Sequence, residues 1–157
     1  MAGAVEAACT DLASEIQAAR AVINRRAVTG QVLGNGASLH LVLSNLLANA
    51  IKFVAPTVAP ETELWTEACV GESGDAPVRL WVRDNGIGIP ARSQNKIFGV
   101  FERLHPRERY PGTGIGLAIV KKAVERMGGQ VGVESQPGEG SRFWVELQAT
   151  PLAPSLR

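Results

Sequence analysis

The sequence predicts a single α/β domain, and three observations carry that expectation. Stretches with three- and four-residue hydrophobic spacing alternate with short β-branched stretches, and glycine- and proline-rich turns separate them. A length of 157 residues suffices for one hydrophobic core but not for two independent ones. In order, Val5, Cys9, Leu12, Ile16 and Ala19 define one side of an amphipathic helix within residues 1–20. Ala21 to Asn24 and Ala27 to Leu33, parted by Arg25-Arg26, read as two strands or a hairpin. Gly34-Asn35-Gly36 turns the chain into a second helix over Ser38 to Val54, stopped by Pro56. Glu63 to Val70 and Val78 to Arg83 read as paired strands joined by the polar turn Gly71 to Pro77. From Asp84 to Gly116 no period is sustained, and a loop of that length is a candidate for function. Helical spacing returns over Thr113 to Met127 and stops at Gly128-Gly129. Gln130 to Glu134 and Ser141 to Leu147 form a last strand pair, and residues 149–157 read as a frayed, disordered tail.

Composition removes several classes of function. Sixteen Lys and Arg against fifteen Asp and Glu give a net charge of +1, without the electrostatic footprint of a nucleic-acid binder. No apolar run approaches the roughly 18 residues of a membrane span, and the amino terminus has neither a basic start nor an apolar signal core. The expectation is a cytoplasmic domain without direct membrane contact, whose parent protein could be soluble or anchored. Cys9 and Cys69 are isolated and read as reduced core thiols, and two histidines are too few for a His-rich metal site. The P-loop, the dinucleotide fingerprint, the HExxH zinc motif and the G-x-S-x-G elbow are all missing.

Three constellations remain. Asn45, Asn49 and Lys52 stand at i, i+4 and i+7, within an arc of roughly 60° on one helix face, and leucines occupy the back. Two amides and an ammonium on one stripe offer oxygen to a hard cation and charge to phosphate, although the same spacing also suits a solvated polar face. Asp84-Asn85-Gly86-Ile87-Gly88-Ile89-Pro90 follows a strand directly. A strand-end carboxylate can accept from the exocyclic amine of a base, and the glycines let backbone approach a flat ring; an ordinary tight turn would use the same residues. Gly112-Thr113-Gly114-Ile115-Gly116-Leu117 leads into a helix whose first amides can bind phosphate oxygens, with Arg103, Arg107 and Arg109 just upstream.

In this order and at these separations, the pieces resemble the ATP-binding catalytic domain of sensor histidine kinases, a branch of the GHKL ATPase superfamily. The resemblance spans about residues 20–148. It rests on Asn45 to Phe53 (the asparagine box), Asp84 to Gly88, Phe98 to Phe101 (the phenylalanine box), Gly112 to Leu117, and the closing hairpin Glu134 to Ser141. The run from Phe101 to Gly112 is similar to kinases that follow phytochrome and PAS sensor modules. The resemblance implies a two-layer sandwich, a mixed sheet with helices on one face, and ATP held between the asparagine-box helix and a flexible lid. It implies that Asp84 takes the adenine amine and that Gly86 and Gly88 shape the base pocket. Asn49 would coordinate Mg²⁺, Asn45 would support metal and phosphates, and Lys52 would contact phosphate. Phe98 and Phe101 would anchor the lid, Arg103 or Arg109 would steady the γ-phosphate, and Gly112, Thr113, Gly114, Gly116 and Leu117 would cradle the phosphates. Residues 1–20 would lead in from a histidine-bearing dimerisation domain that is not in this chain, with a response regulator downstream. Asn35, Leu41 and Arg142 depart from the residues usual in relatives, none at a principal ATP contact.

Neither His40 nor His105 has the Ser-His-Glu context of a phosphoacceptor, so the expected enzyme is a kinase catalytic domain that cannot phosphorylate itself alone. The competing readings are a hydrolytic GHKL ATPase, an anti-sigma serine kinase and a nucleotide-binding module without transfer. Hydrolysis is disfavoured because the position of the family's water-activating glutamate holds Asn45, an amide that cannot act as a general base.

Overall fold

The structure, a computed structural model, describes residues 1–69, 76–106 and 108–150. The elements in chain order are α1 (Ala2–Asp11), α2 (Ala13–Ala19), β1 (Val22–Arg25), α3 (Gly36–Lys52), β2 (Glu61–Ala68), β3 (Val78–Asp84), α4 (Ala91–Gln94), α5 (Gly116–Arg126), β4 (Gln130–Ser135) and β5 (Ser141–Leu147). The five strands form one sheet in the order β1-β2-β3-β5-β4. β1 runs parallel to β2 and every other pair is antiparallel, so the sheet is mixed. Helices cover one face, as the two-layer expectation requires.

Leu39, Leu43, Leu46 and Leu47 of α3, Val120 and Val124 of α5, and Val5 and Ala8 of α1 are buried against Leu64, Leu80, Val82, Phe143, Val145 and Leu147 of the sheet. α3 is the central helix of this layer because its apolar side is nearly continuous: Val42, Leu43, Leu46 and Leu47 are each at most 1 % exposed. Its start is set by Asn35, whose side-chain oxygen accepts from the amides of Ala37 (2.8 Å) and Ser38 (3.1 Å). That cap moves the helix start two residues ahead of the Ser38 expected from spacing.

Other boundaries also differ from expectation. The first helix breaks at Leu12 into α1 and α2, although hydrogen bonds to Ala8 and from Ile16 carry the turn across the break. Residues 27–33 form no strand. The Thr66 hydroxyl donates to the Ala27 and Thr29 carbonyls and accepts from the Thr29 amide, drawing the chain off the sheet edge. Residues 31–33 then pair with 148–150 through Leu33 to Gln148, Thr150 to Gln31 and a Val32–Ala149 bridge. The tail is therefore anchored at Ala149 and Thr150, and the rest of it lies outside the described residues. So do Val70, most of the Gly71 to Pro77 turn, and Arg107. The stretch without period contains one helical turn, α4.

Among the described residues no second layer lies on the face of the sheet opposite the helices, and its side chains cover one another instead. All three tryptophans of the chain lie in one cross-strand row, Trp65–Trp81–Trp144, with Gly132 completing it under the Trp144 ring. Trp65 and Trp81 stack at 5.8 Å and both donate to Glu67. The Arg79 guanidinium lies 5.6 Å from the Trp81 ring and 4.7 Å from that of Trp144 while donating to Glu146 at 2.7 Å. Trp81 is thereby only 6 % exposed. Trp81→Ala is expected to lower the unfolding free energy by about 3 kcal/mol, read from urea denaturation followed by circular dichroism.

Candidate functional site

A cavity of about 270 Å³ opens between α3 and the segment that follows α4, with the adjoining ends of β3 and β5 as its floor. Three distant parts of the sequence meet there. From α3 come Asn45, Asn49 and Lys52, on the stripe that the leucine back turns away from the core. From the strand end come Asp84 and Gly88, and from the start of α5 come Gly112, Thr113, Gly114, Gly116 and Leu117.

Asp84 closes one end. It is 9 % exposed, and its Oδ1 accepts from the Gly86 amide at 2.8 Å and the Ser141 amide at 3.1 Å. Burial pushes its carboxyl up from 3.8 to about 6, against the opposing effect of those two amides, so it is ionised at neutral pH. Among the described residues no group donates to Oδ2, which leaves one carboxylate oxygen to accept an exocyclic N–H. The glycines serve close approach. A Cβ at Gly86 would overlap the Phe53 carbonyl, and Gly88, at φ +73°, would drive one into the Gln136 carbonyl. Gly86 therefore acts by orienting Asp84 and does not line the cavity itself.

The other end is polar and positive. The Asn45 amide nitrogen donates to the Leu41 carbonyl at 2.9 Å, and its oxygen faces Gly116 at the start of α5. α5 presents its first amides and the positive end of its dipole to the same space. The Lys52 ammonium is pushed down, first by partial burial and then by Arg103. Two cations sharing a half-buried site are relieved by an anion between them, so this end favours phosphate.

The segment over the cavity departs from expectation at three of its residues. Phe98 packs edge-on to Phe143 with centroids 6.4 Å apart and joins the core, so it anchors the segment but does not line the cavity. Phe101 does neither. It is 73 % exposed, with φ at +61°, because the chain reverses there and throws the ring outward. Arg109 lies against the Tyr110 ring, away from the cavity. Arg103 reaches the cavity, but its guanidinium donates to the carbonyls of Tyr110 (2.8 Å) and Gly112 and so ties the segment to itself. The anchor that sequence reasoning missed is Tyr110. It is 6 % exposed, its hydroxyl donates to the Val54 carbonyl at 3.2 Å, and its ring meets Phe53 at 5.3 Å. Ser141, Phe143, Glu102 and His105 also line the cavity. Ser141 had a signal in its place in the closing hairpin, and Glu102 and His105 in the run from Phe101 to Gly112, although none was singled out as a site residue.

A hard cation has a fitting donor set here. Among the described residues no group of three His, Cys, Asp or Glu side chains could hold a metal, so a hard cation would have few protein oxygens to bind, the neutral amides of Asn45 and Asn49 on the α3 stripe and the single carboxylate of Glu102 in the same cavity. Magnesium suits such a site, since it commonly keeps its waters and shares phosphate oxygens.

The comparisons with known proteins agree with this geometry. Residues 34–151 match the family described as histidine kinase-, DNA gyrase B-, and HSP90-like ATPase. The sensor histidine kinase AruS of Pseudomonas aeruginosa is 44 % identical over 128 residues, covering 75 % of this chain and 12 % of that protein. The phytochrome-like protein Cph1 of Synechocystis is 43 % identical over 119 residues, covering 74 % of this chain and 15 % of its own length. This chain thus spans a small fraction of these relatives. Among solved structures, full-length ShkA in complex with AMPPNP superposes with a TM-score of 0.77 at 28 % identity, over 97 % of this chain and 31 % of that one. The catalytic domain of the histidine kinase ThkA gives 0.77 at 23 % identity over 96 % and 93 %, a likeness of fold. With its mixed sheet, its asparagine-striped helix and its buried strand-end carboxylate, the chain belongs to the histidine kinase-, DNA gyrase B- and HSP90-like ATPase family, as a catalytic domain of the sensor histidine kinase type.

Proposed function

We propose that this domain binds ATP with Mg²⁺ and transfers the γ-phosphoryl group to a histidine on a separate dimerisation domain, from which a response regulator is phosphorylated. The observation that carries this reading is one cavity with two chemically opposite ends, a buried carboxylate with a free oxygen and a cationic, amide-rich helix stripe. Asp84 accepts the N6 amine of adenine. Asn49 holds the metal by its amide oxygen, Asn45 supports metal and phosphates, and Lys52 and the α5 amides take phosphate oxygens. Magnesium held there would supply charge neutralisation to the phosphates.

Transfer breaks the bond between the γ-phosphorus and the oxygen that stays on ADP, and forms a phosphorus–nitrogen bond to the acceptor imidazole. The domain's part is positioning and charge stabilisation, which is most of what this reaction asks of a protein. Neither histidine of this chain is placed to accept. His40 is paired with Asp11 at 2.7 Å, and His105 packs on the adjoining rings of Tyr110 and Phe53. We assign residues 1–20 as the lead-in from the dimerisation domain and a cytoplasmic location to this domain, whether the parent protein is soluble or anchored. No helix of the described residues is long and apolar enough to cross a membrane. Hydrolysis is the weaker reading because Asn45 supplies no base. The test is to titrate the domain with Mg·ATP by calorimetry, then add a dimerisation domain of a close relative with γ-labelled ATP. Label on that domain's histidine is the expected result, and release of free phosphate at an equal rate without it would overturn the assignment.

A further inference from the structure

We infer that Tyr110 is a positioning residue for phosphoryl transfer, its hydroxyl linking the segment over the cavity to the loop that seats the base, an assignment that rests on the ATP reading above. Little else holds that segment. Phe98 packs into the core at its start. Beyond it, among the described residues, the backbone hydrogen bonds of residues 99–114 reach no farther than Lys96 and Pro106. Of the side chains, Arg103 donates to the Tyr110 and Gly112 carbonyls of the segment itself. The hydrogen bond that leaves the segment runs from the Tyr110 hydroxyl to the Val54 carbonyl, at 3.2 Å.

The other side of that bond belongs to the base loop. Phe53 and Val54 follow the last turn of α3, and the Phe53 carbonyl accepts from the Ile87 amide at 2.9 Å. The same carbonyl stands where a Cβ on Gly86 would have to go, so the loop whose Gly86 amide holds Asp84 is seated directly on it. One peptide further on, the Val54 carbonyl takes the Tyr110 hydroxyl. The rings repeat the connection, with Tyr110 meeting both Phe53 and His105 at 5.3 Å. A base that packs on the Asp84 to Gly88 loop therefore steadies the Phe53-Val54 turn, and through one hydroxyl it steadies Tyr110. Arg103, which lines the cavity and is held by the Tyr110 carbonyl at 2.8 Å, is placed by the same step. Tyr110 does not line the cavity and acts through its neighbours.

The test uses adenosine, which offers the base without phosphate. Amide hydrogen exchange over residues 99–114 is followed by mass spectrometry, with and without saturating adenosine, in the wild type and in Tyr110→Phe, which keeps the ring and loses the hydroxyl. Adenosine is expected to slow exchange of this peptide in the wild type and to leave it unchanged in Tyr110→Phe, although calorimetry finds the two affinities within about threefold of each other. With Mg·ATP and a supplied dimerisation domain, kcat should fall about fivefold in Tyr110→Phe, the equivalent of one net hydrogen bond, while KM for ATP stays within about threefold. A wild-type segment that ignores adenosine, or a Tyr110→Phe variant whose segment responds to it or which transfers at the normal rate, overturns the assignment. So does a Tyr110→Phe variant that loses adenosine binding and transfer together, since that shows a structural role alone. A folded wild type that binds no adenosine overturns the ATP reading instead.

Discussion

Asp84→Asn is expected to abolish useful ATP binding and at the same time to make the empty domain more stable. The side-chain oxygen of the introduced asparagine can still accept from Gly86 and Ser141, so its amide nitrogen must occupy the place of Oδ2. Two N–H donors then face each other where adenine presents its amine, a loss of about 3 kcal/mol or a hundredfold in affinity. The stability effect follows from the carboxyl being raised from 3.8 to about 6 by burial. At about pH 3 and below, the group is protonated in both folded and unfolded chains and costs nothing. As pH rises, the unfolded chain ionises first, and the folded state falls behind until its own carboxyl ionises near 6. Above that the penalty is complete, about 3 kcal/mol. The neutral amide removes it, so Asp84→Asn should exceed the wild type in urea resistance by up to that amount at about pH 7.5 and lose the advantage toward about pH 3. A variant that binds ATP normally, or one less stable than the wild type at both pH values, would refute the role given to this carboxylate.

The same residue shows what the sequence could convey and where it stopped. Helical spacing made α3 and α5 legible, because 3.6-residue periodicity is imposed by each helix's own burial. It also put Asn45, Asn49 and Lys52 on one stripe before any partner was known. Alternation made β2 and β3 legible in the same way. Periodicity states which face is buried but not by what. That Ser141 lies opposite Asp84, so that its amide holds the carboxylate, follows from β5 inserting between β3 and β4, a long-range choice with no local signature. The pairing of 31–33 with 148–150 and the tryptophan row have the same origin, since each is made by strand order. The segment over the cavity was the least legible. Two phenylalanines, three arginines and a tyrosine within thirteen residues are interchangeable by composition, and only backbone direction decides that Phe98 and Tyr110 turn in while Phe101 and Arg109 turn out. Arg103 was expected, with Arg109 as the alternative, to steady the γ-phosphate; it lines the cavity, and its guanidinium donates to the Tyr110 and Gly112 carbonyls of its own segment, contacts that composition does not announce.

Asn49→Ala is expected to separate binding from transfer. Asn49 sits mid-stripe, one turn from Asn45, and with no acidic cluster able to hold a metal among the described residues, its amide oxygen is the natural protein ligand for Mg²⁺. Alanine favours a helix interior more than asparagine does, so α3 should survive the change, and Asp84 is untouched at the far end of the cavity. In the wild type, Mg²⁺ should raise ATP affinity, because the cation couples the phosphates to the helix. In Asn49→Ala that gain should vanish, while metal-free ATP and ADP bind within about threefold of normal. Transfer to a supplied dimerisation domain should fall by about a thousandfold, the scale of losing an interaction of about 4 kcal/mol that matures as charge develops on the moving phosphoryl group. Calorimetry with and without chelator gives the first quantity, and label incorporation gives the second. If Mg²⁺ strengthens ATP binding equally in both proteins, the metal is held elsewhere, and Asn45, whose oxygen faces the start of α5, becomes the residue to replace.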